Sequence, residues 1–151
     1  MLQKLILLPL AAITLLSGVV GCTVVREYPA EEKAAENKQL EHELARELLH
    51  AFVTNDSAKF VSLLPVDMGK KFDEAAFRKY REKLVKSVGE PISFTYLTTL
   101  ELQALTPQIW KVRFRRVNSK NGQEFTSEVL FRVITGMSDK KNAVITSFQF
   151  I

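Results

Sequence analysis

Lys83-Leu84-Val85-Lys86-Ser87-Val88-Gly89-Glu90-Pro91-Ile92-Ser93-Phe94-Thr95-Tyr96 is the stretch in which the chain changes its periodicity, and that change sets the fold class. On its N-terminal side the apolar residues recur at helical spacing. Phe77, Tyr80, Leu84, Val85 and Val88 share one side of a helix predicted over 74–88, with Asp73 placed to cap it. Gly89 suits the position just past a helix, and Pro91 prevents the helix from continuing. Beyond Pro91 the period becomes two, which is the repeat of a pleated strand with one buried face.

Downstream the alternation gives four strands. The first is predicted over 92–105, with Ile92, Phe94, Tyr96, Leu100 and Leu102 on one face. Pro107 breaks it. The second covers 108–117, with Trp110, Val112 and Phe114 facing one way and Lys111, Arg113 and Arg115 the other. Asn118-Ser119-Lys120-Asn121-Gly122 is a hairpin turn signal. The third strand, 123–134, alternates Phe125, Val129, Phe131 and Val133 with polar residues, and the fourth, 143–151, ends on Phe148, Phe150 and Ile151.

Upstream the chain reads as helices. Residues 31–53 open with good helix formers and continue with Leu40, Leu44, Leu48 and Phe52 at a spacing of four, joined by Ala45, Leu49 and Ala51. The stripe begins only at Leu40, so the first turns are expected to project into solvent or to lengthen a stalk. A short helix over 57–64 stops at Pro65, and Met68–Phe72 adds a single turn. Helices followed by a four-stranded antiparallel meander form an α+β domain, in which the helices cover the apolar face of the sheet. The order resembles the nuclear transport factor two-like, or cystatin-like, superfamily, whose sheet curls around a long N-terminal helix to form a cone. Ala51-Phe52-Val53-Thr54-Asn55-Asp56-Ser57-Ala58-Lys59-Phe60 looks like that family's first helical turn-around, and Val144-Ile145-Thr146-Ser147-Phe148-Gln149-Phe150 like its closing strand. The domain is assigned to 38–151, with residues 22–37 as tether and helix start.

The N-terminus carries a different message. Lys4 precedes an apolar run from Leu5 to Leu16, and Ser17, Gly18 and Gly21 are small residues near a cleavage point. The run is shorter than the roughly 20 residues of a spanning helix. Val19-Val20-Gly21-Cys22 resembles the lipobox of bacterial lipoproteins. That resemblance implies removal of residues 1–21, cleavage between Gly21 and Cys22, and lipidation of Cys22. Several acyl chains make a stable anchor where one is marginal. Residues 23–30 then form a short tether. Thr23 stands where, in Gram-negative lipoproteins, an Asp resembles a retention signal for the inner membrane; the absence of that Asp favours the outer membrane, facing the periplasm, if the source is Gram-negative. The chain is also similar to small bacterial lipoproteins built on the same fold.

Composition narrows the function. The chain has 151 residues, a net charge of +4 and a single cysteine. One cysteine allows no internal disulfide and no thiolate metal cluster. The mild, unclustered positive charge does not fit nucleic acid, where cations gather on one face beside stacking aromatics. His42 and His50 lie eight apart on one helix, too far to share a metal. No cofactor motif occurs.

Enzymes of the resembled superfamily, such as ketosteroid isomerases and dehydratases, place an acid or histidine inside the cone. Here the aromatic face is expected to carry only Tyr96, Thr98, Arg116, Ser127 and Thr146 as polar members, with Glu101, Glu124 and Glu128 on the other parity. Tyr96 and Arg116 are the candidate cavity groups. Lys70, Lys71, Arg78, Lys79, Arg81, Lys83 and Lys86 make a basic segment, with Arg78–Glu82 and Glu82–Lys86 pairs expected at helical spacing. Lys111, Arg113 and Arg115 are expected to face Glu124, Glu128 and Arg132 across the exposed side of the sheet, a surface through which relatives form homodimers. The sequence therefore reads as a membrane-anchored extracytoplasmic lipoprotein that is not an enzyme and binds a small ligand or an envelope partner. The alternative is a small acid/base enzyme of isomerase or hydrolase type.

Overall fold

The computed structural model describes residues 29–151 apart from 101, 103 and 140, with side chains from residue 33 onward. The expected signal segment 1–21 with its cleavage point at Gly21 and Cys22, and the expected tether up to residue 28, lie outside the described residues. The elements run α1 (Pro29–Val53), α2 (Ser57–Ser62), α3 (Val66–Lys71), α4 (Glu74–Val88), β1 (Glu90–Thr99), β2 (Thr106–Val117), β3 (Glu124–Met137) and β4 (Ala143–Phe150). The strands form one antiparallel sheet in the order β1-β2-β3-β4. This is the α+β architecture that the periodicity predicts, with four helices packed on a four-stranded sheet.

The helix-to-strand change falls where the sequence puts it. The Asp73 carboxylate accepts the Ala76 N–H at 2.8 Å at the start of α4, and the Gly89 N–H donates to the Val85 carbonyl at its end. Gly89 has φ +103°, and a Cβ there would lie 2.4 Å from the Arg115 carbonyl oxygen. Backbone conformation and close approach of β2 thus both require glycine.

Most of α1 packs against the sheet, and its buried stripe is Glu41, Ala45, Leu48, Leu49 and Phe52. The expected stripe of every fourth residue drifts off this face, because a helix turns in 3.6 residues. Leu40 is consequently 40% exposed and Glu41, at 5%, takes its place in the core. Residues 33–36 and 38–40 are exposed, so the N-terminal half of α1 projects, as expected. Among the described residues no helix is long and apolar enough to cross a membrane.

Four strand expectations need correction. β1 ends at Thr99, so Leu100 and Leu102 lie in the connection to β2 and are exposed. Register shifts at Pro91/Ser93 and at Tyr96/Thr98 turn Ile92 and Thr98 outward. A shift at Ile134/Thr135 places Thr146 on the outer side, where its hydroxyl donates to the Ile134 carbonyl, and puts Ile145 in the core. Phe125 is exposed beyond the end of the core.

The half of the cone away from the projecting helix is filled by rings. Phe60 lies 4.7 Å from Phe77 and 5.2 Å from Phe148, and Phe150 lies 4.6 Å from Phe131, 5.2 Å from Phe52 and 5.8 Å from Phe114 (centroid distances). Burying aromatic side chains of this size is the largest favourable contribution that a core of this kind makes.

Candidate functional site

The polar groups that the core does contain gather at the opposite half, where α1 leaves the sheet. Glu41 is buried there, and one of its carboxylate oxygens accepts the Thr135 hydroxyl at 2.9 Å. Gln108, 1% exposed, donates its side-chain amide to the Glu41 backbone carbonyl at 3.0 Å. Thr135 sits on β3 beside Thr106 of β2, whose carbonyl lies 3.2 Å from the same hydroxyl. This network ties the helix to the two central strands.

Two buried atoms next to it have no partner among the described residues, namely Oε1 of Gln108 and Nε1 of Trp110. They are an acceptor and a donor two residues apart on one face of β2. An unpaired buried polar atom costs about 1–3 kcal/mol, so native structures keep few of them. Trp110 is covered by His42, stacked at 5.0 Å and 25°, and Tyr96 meets both rings edge-on at 4.8 and 5.3 Å. The Tyr96 hydroxyl shares a 2.7 Å hydrogen bond with Thr99. Above this cluster opens a cleft of about 370 Å³ lined by Lys38, Gln39, His42, Tyr96, Thr99, Thr106 and Gln108. It combines flat aromatic surface, hydroxyls, amides and an ammonium, a lining suited to a small ligand that has both a ring face and hydrogen-bonding groups.

The structure separates the two candidate groups named from sequence. Tyr96 stands in this cleft. Arg116 lies six residues along β2 from Trp110, roughly 20 Å away at strand rise, and donates to the Lys86 and Ser87 carbonyls at 3.2 and 3.3 Å. Those are among the last carbonyls of α4, so Arg116 caps a helix end. Ser127 does the same for Val88 at 3.2 Å. Arg116 and Ser127 border a larger cavity of about 680 Å³, but both are already committed to the helix end, whereas Gln108 keeps an open acceptor. The cleft at the projecting helix is therefore the stronger site.

Other expected pairings are adjusted. Arg78 pairs with Glu74 at 3.1 Å rather than with Glu82, and Lys86 pairs with Glu82 at 2.7 Å. On the outer sheet face Glu128 accepts from Lys111 at 3.2 Å and from Arg113 at 3.4 Å, while Glu124 stands opposite Val117. The Lys111 hydrogen bond, against some desolvation, holds the Glu128 carboxyl below its ordinary value. Burial raises the Tyr80 hydroxyl, partly offset by a backbone hydrogen bond at Phe150.

Sequence reasoning missed Glu41, Gln108, Thr135 and His42 as a group. Gln108 and Thr135 share strand parity with Trp110 and with Phe131 and Val133, so their inward position was readable. Glu41 needed the 3.6-residue helical repeat, from which Leu48 and Phe52 trace back through Ala45 to position 41.

No protein-family model matches the chain, and no curated protein matches it in sequence. Among solved structures it is similar to a ketosteroid isomerase-like protein from Erwinia carotovora atroseptica, with a TM-score of 0.54 at 9% identity over 74% of this chain and 92% of that one. A SEC-C motif containing protein from Rhodopseudomonas palustris aligns with a TM-score of 0.46 at 17% identity, over 70% of this chain and 74% of that chain. The likeness to the first is one of fold. The domain shares the α+β fold of that ketosteroid isomerase-like protein.

Proposed function

We propose that the protein is a lipid-anchored extracytoplasmic lipoprotein whose domain binds a small ligand noncatalytically in the cleft between α1 and strands β1 and β2. The observation that carries the binding reading is the unpaired, buried Gln108 Oε1 on a residue that lines an open cleft together with His42 and Tyr96. A ligand with a hydrogen-bond donor that reaches Gln108 satisfies that acceptor. Support for a noncatalytic role comes from two features. Phenylalanines occupy the rest of the cone, and among the described residues no carboxylate hydrogen-bonds to His42, so no base-and-orienting-group pair faces the cleft. Support for the anchor comes from Val19-Val20-Gly21-Cys22 and the apolar run before it.

Trp110 is the sole tryptophan and reports on its own site. Protein isolated from its native envelope is expected to carry a small molecule detectable by native mass spectrometry. Its removal and return should shift Trp110 emission, and Tyr96→Ala should abolish that response. A protein that carries nothing and shows no response to envelope extracts sinks the binding reading. The anchor has its own test. Cys22→Ala should eliminate palmitate labelling and membrane retention, and their persistence excludes lipidation at Cys22.

The alternative reading, a small acid/base enzyme, draws on one observation, the buried Glu41 carboxylate. It requires the copurified molecule to be converted on incubation and that conversion to stop in Glu41→Gln. Recovery of the molecule unchanged supports binding alone.

A further inference from the structure

The turn between β2 and β3 carries the one Asn-Gly pair of the chain, Asn121-Gly122. It stands at the end of the sheet away from the cleft, and residues 119–126 are all exposed. Asn118 frames the turn. Its N–H donates to the Gln123 carbonyl and its carbonyl accepts the Gly122 N–H, both at 2.8 Å. Within that frame the Asn121 side-chain oxygen accepts the Gln123 N–H at 3.1 Å. This is an Asx turn, in which an asparagine side chain folds back over the backbone that follows it. The fold-back keeps Asn121 Cγ on the side where the Gly122 nitrogen lies. Gly122 has φ +68° and open space where a Cβ would stand. With no Cβ, it leaves its own nitrogen unscreened.

We infer that Asn121 is a site of spontaneous covalent modification, at which the Gly122 nitrogen attacks the side-chain amide and the asparagine becomes aspartate or isoaspartate. The attack requires the Gly122 N–H to leave the Asn118 carbonyl, and hydrogen bonds of an exposed turn open at little cost. The Gly122 nitrogen then loses its proton and bonds to Asn121 Cγ. The Cγ–Nδ2 bond breaks, and Nδ2 departs with that proton as ammonia. The Gln123 N–H on Oδ1 stabilises the negative charge this oxygen gains during the attack. Water opens the resulting five-membered imide. Opening at Cγ gives aspartate, and opening at the backbone carbonyl leaves the chain running through Cγ as isoaspartate. Water enters, ammonia leaves, and nothing is oxidised or reduced. The other four asparagines each lack a part of this arrangement. Asn118 makes the same side-chain turn, with Oδ1 on the Lys120 N–H at 2.9 Å, but Ser119 follows it. The nitrogen after Asn55 is that of Asp56, bonded to the Ala51 carbonyl at 2.9 Å. Asn142 gives its side-chain amide to Asp139 at 2.7 Å, and Ala143 after it is paired in the sheet. Asn37 lies within α1. Either product lowers the net charge of +4 by one. The new carboxylate stands in the turn whose Asn118 and Ser119 border the cavity of about 680 Å³ beside Arg116.

The test incubates the purified protein at neutral and mildly alkaline pH in water labelled with heavy oxygen. Peptide mass spectrometry that separates aspartate from isoaspartate then reads every asparagine. Asn121 is expected to convert about tenfold or more faster than Asn118, which asks for a barrier only about 1.4 kcal/mol lower. Both products should appear with the label in the new carboxyl group. The rate should rise with pH, because the attacking nitrogen must lose its proton. Gly122→Ala should slow conversion at Asn121 and leave Asn118 as it was, while the comparison of the two sites in the wild type needs no variant. A parallel sample in urea supplies the unfolded chain. If Asn121 converts in urea but stays intact in the folded protein, the turn protects it and the inference is overturned. Equal rates at Asn118 and Asn121 in the folded protein overturn it as well, since the glycine then contributes nothing.

Discussion

The two halves of the cone are built from different materials. Toward α2 and α4 the interior is packed with phenylalanine, and each ring touches others across the space that a hollow cone would leave open. Toward the projecting end of α1 the same sheet carries Gln108, Thr135 and Trp110, the helix contributes Glu41 and His42, and two polar atoms stay unpaired. The filled half can supply stability but offers no group for chemistry. The other half gives up some stability and keeps free hydrogen-bonding capacity beside an open cleft. If ligand binds where we propose, substitutions should separate the two ends cleanly.

The largest effect is expected at the filled end. Phe60→Ala removes a 1% exposed ring that contacts Phe72, Phe77 and Phe148. It should destabilise by about 3–5 kcal/mol in denaturant unfolding, through lost burial and the cavity left behind. A cost below about 1 kcal/mol would mean that this half is loosely packed, and the contrast between the halves would break. At the boundary between them Thr135→Val keeps the shape but removes the hydroxyl that Glu41 and Gln108 share. Leaving the buried Glu41 oxygen without its donor should cost about 1–3 kcal/mol. At the open end Tyr96→Ala should change stability by less than about 1 kcal/mol, as for other half-exposed side chains, while abolishing the Trp110 response to ligand. Equal losses of stability at Phe60 and Tyr96 would contradict the division of roles.

How much of this was legible in the sequence depends on which regularity each residue obeys. The Gly89–Pro91 switch was readable because helix capping and strand alternation are local effects, and α4 matches its expected span. The filled core was readable because Phe114, Phe131, Phe148 and Phe150 keep strand parity. Ile92, Thr98 and Thr146 were misplaced because register shifts reverse the parity that alternation assumes, and a register shift is decided by the partner strand. The polar half was missed for a different reason. Burying Glu41 is unfavourable taken alone and becomes acceptable only when Thr135, remote in sequence, supplies a donor. Leu100 and Leu102 were placed in the strand because an apolar pattern reads as strand until Pro107, and only the structure ends β1 at Thr99.

The smallest effect belongs to the outer face of the sheet, and it tests whether packing alone holds the filled half. Glu128 stands opposite Arg113 and accepts from both Arg113 and Lys111. The hydrogen bond from Lys111 holds its carboxyl below the ordinary value of 4.5. A carboxyl depressed by folding contributes stability that is fully present above its unfolded pKa and is lost as pH falls through its folded one. The stability difference between wild type and Glu128→Gln should therefore be constant near neutral pH, begin to shrink as pH drops toward 4.5, and vanish below the folded value. The group is 44% exposed, so solvent and salt screen the pair and the difference should fall further in high salt. Unfolding midpoints of the two proteins across this pH range give the measurement. A difference that rivals Phe60→Ala, or that grows on acidification, would mean that charges on the convex face share the task assigned here to the phenylalanines, and the filled half would have to be understood as a packed core braced from outside.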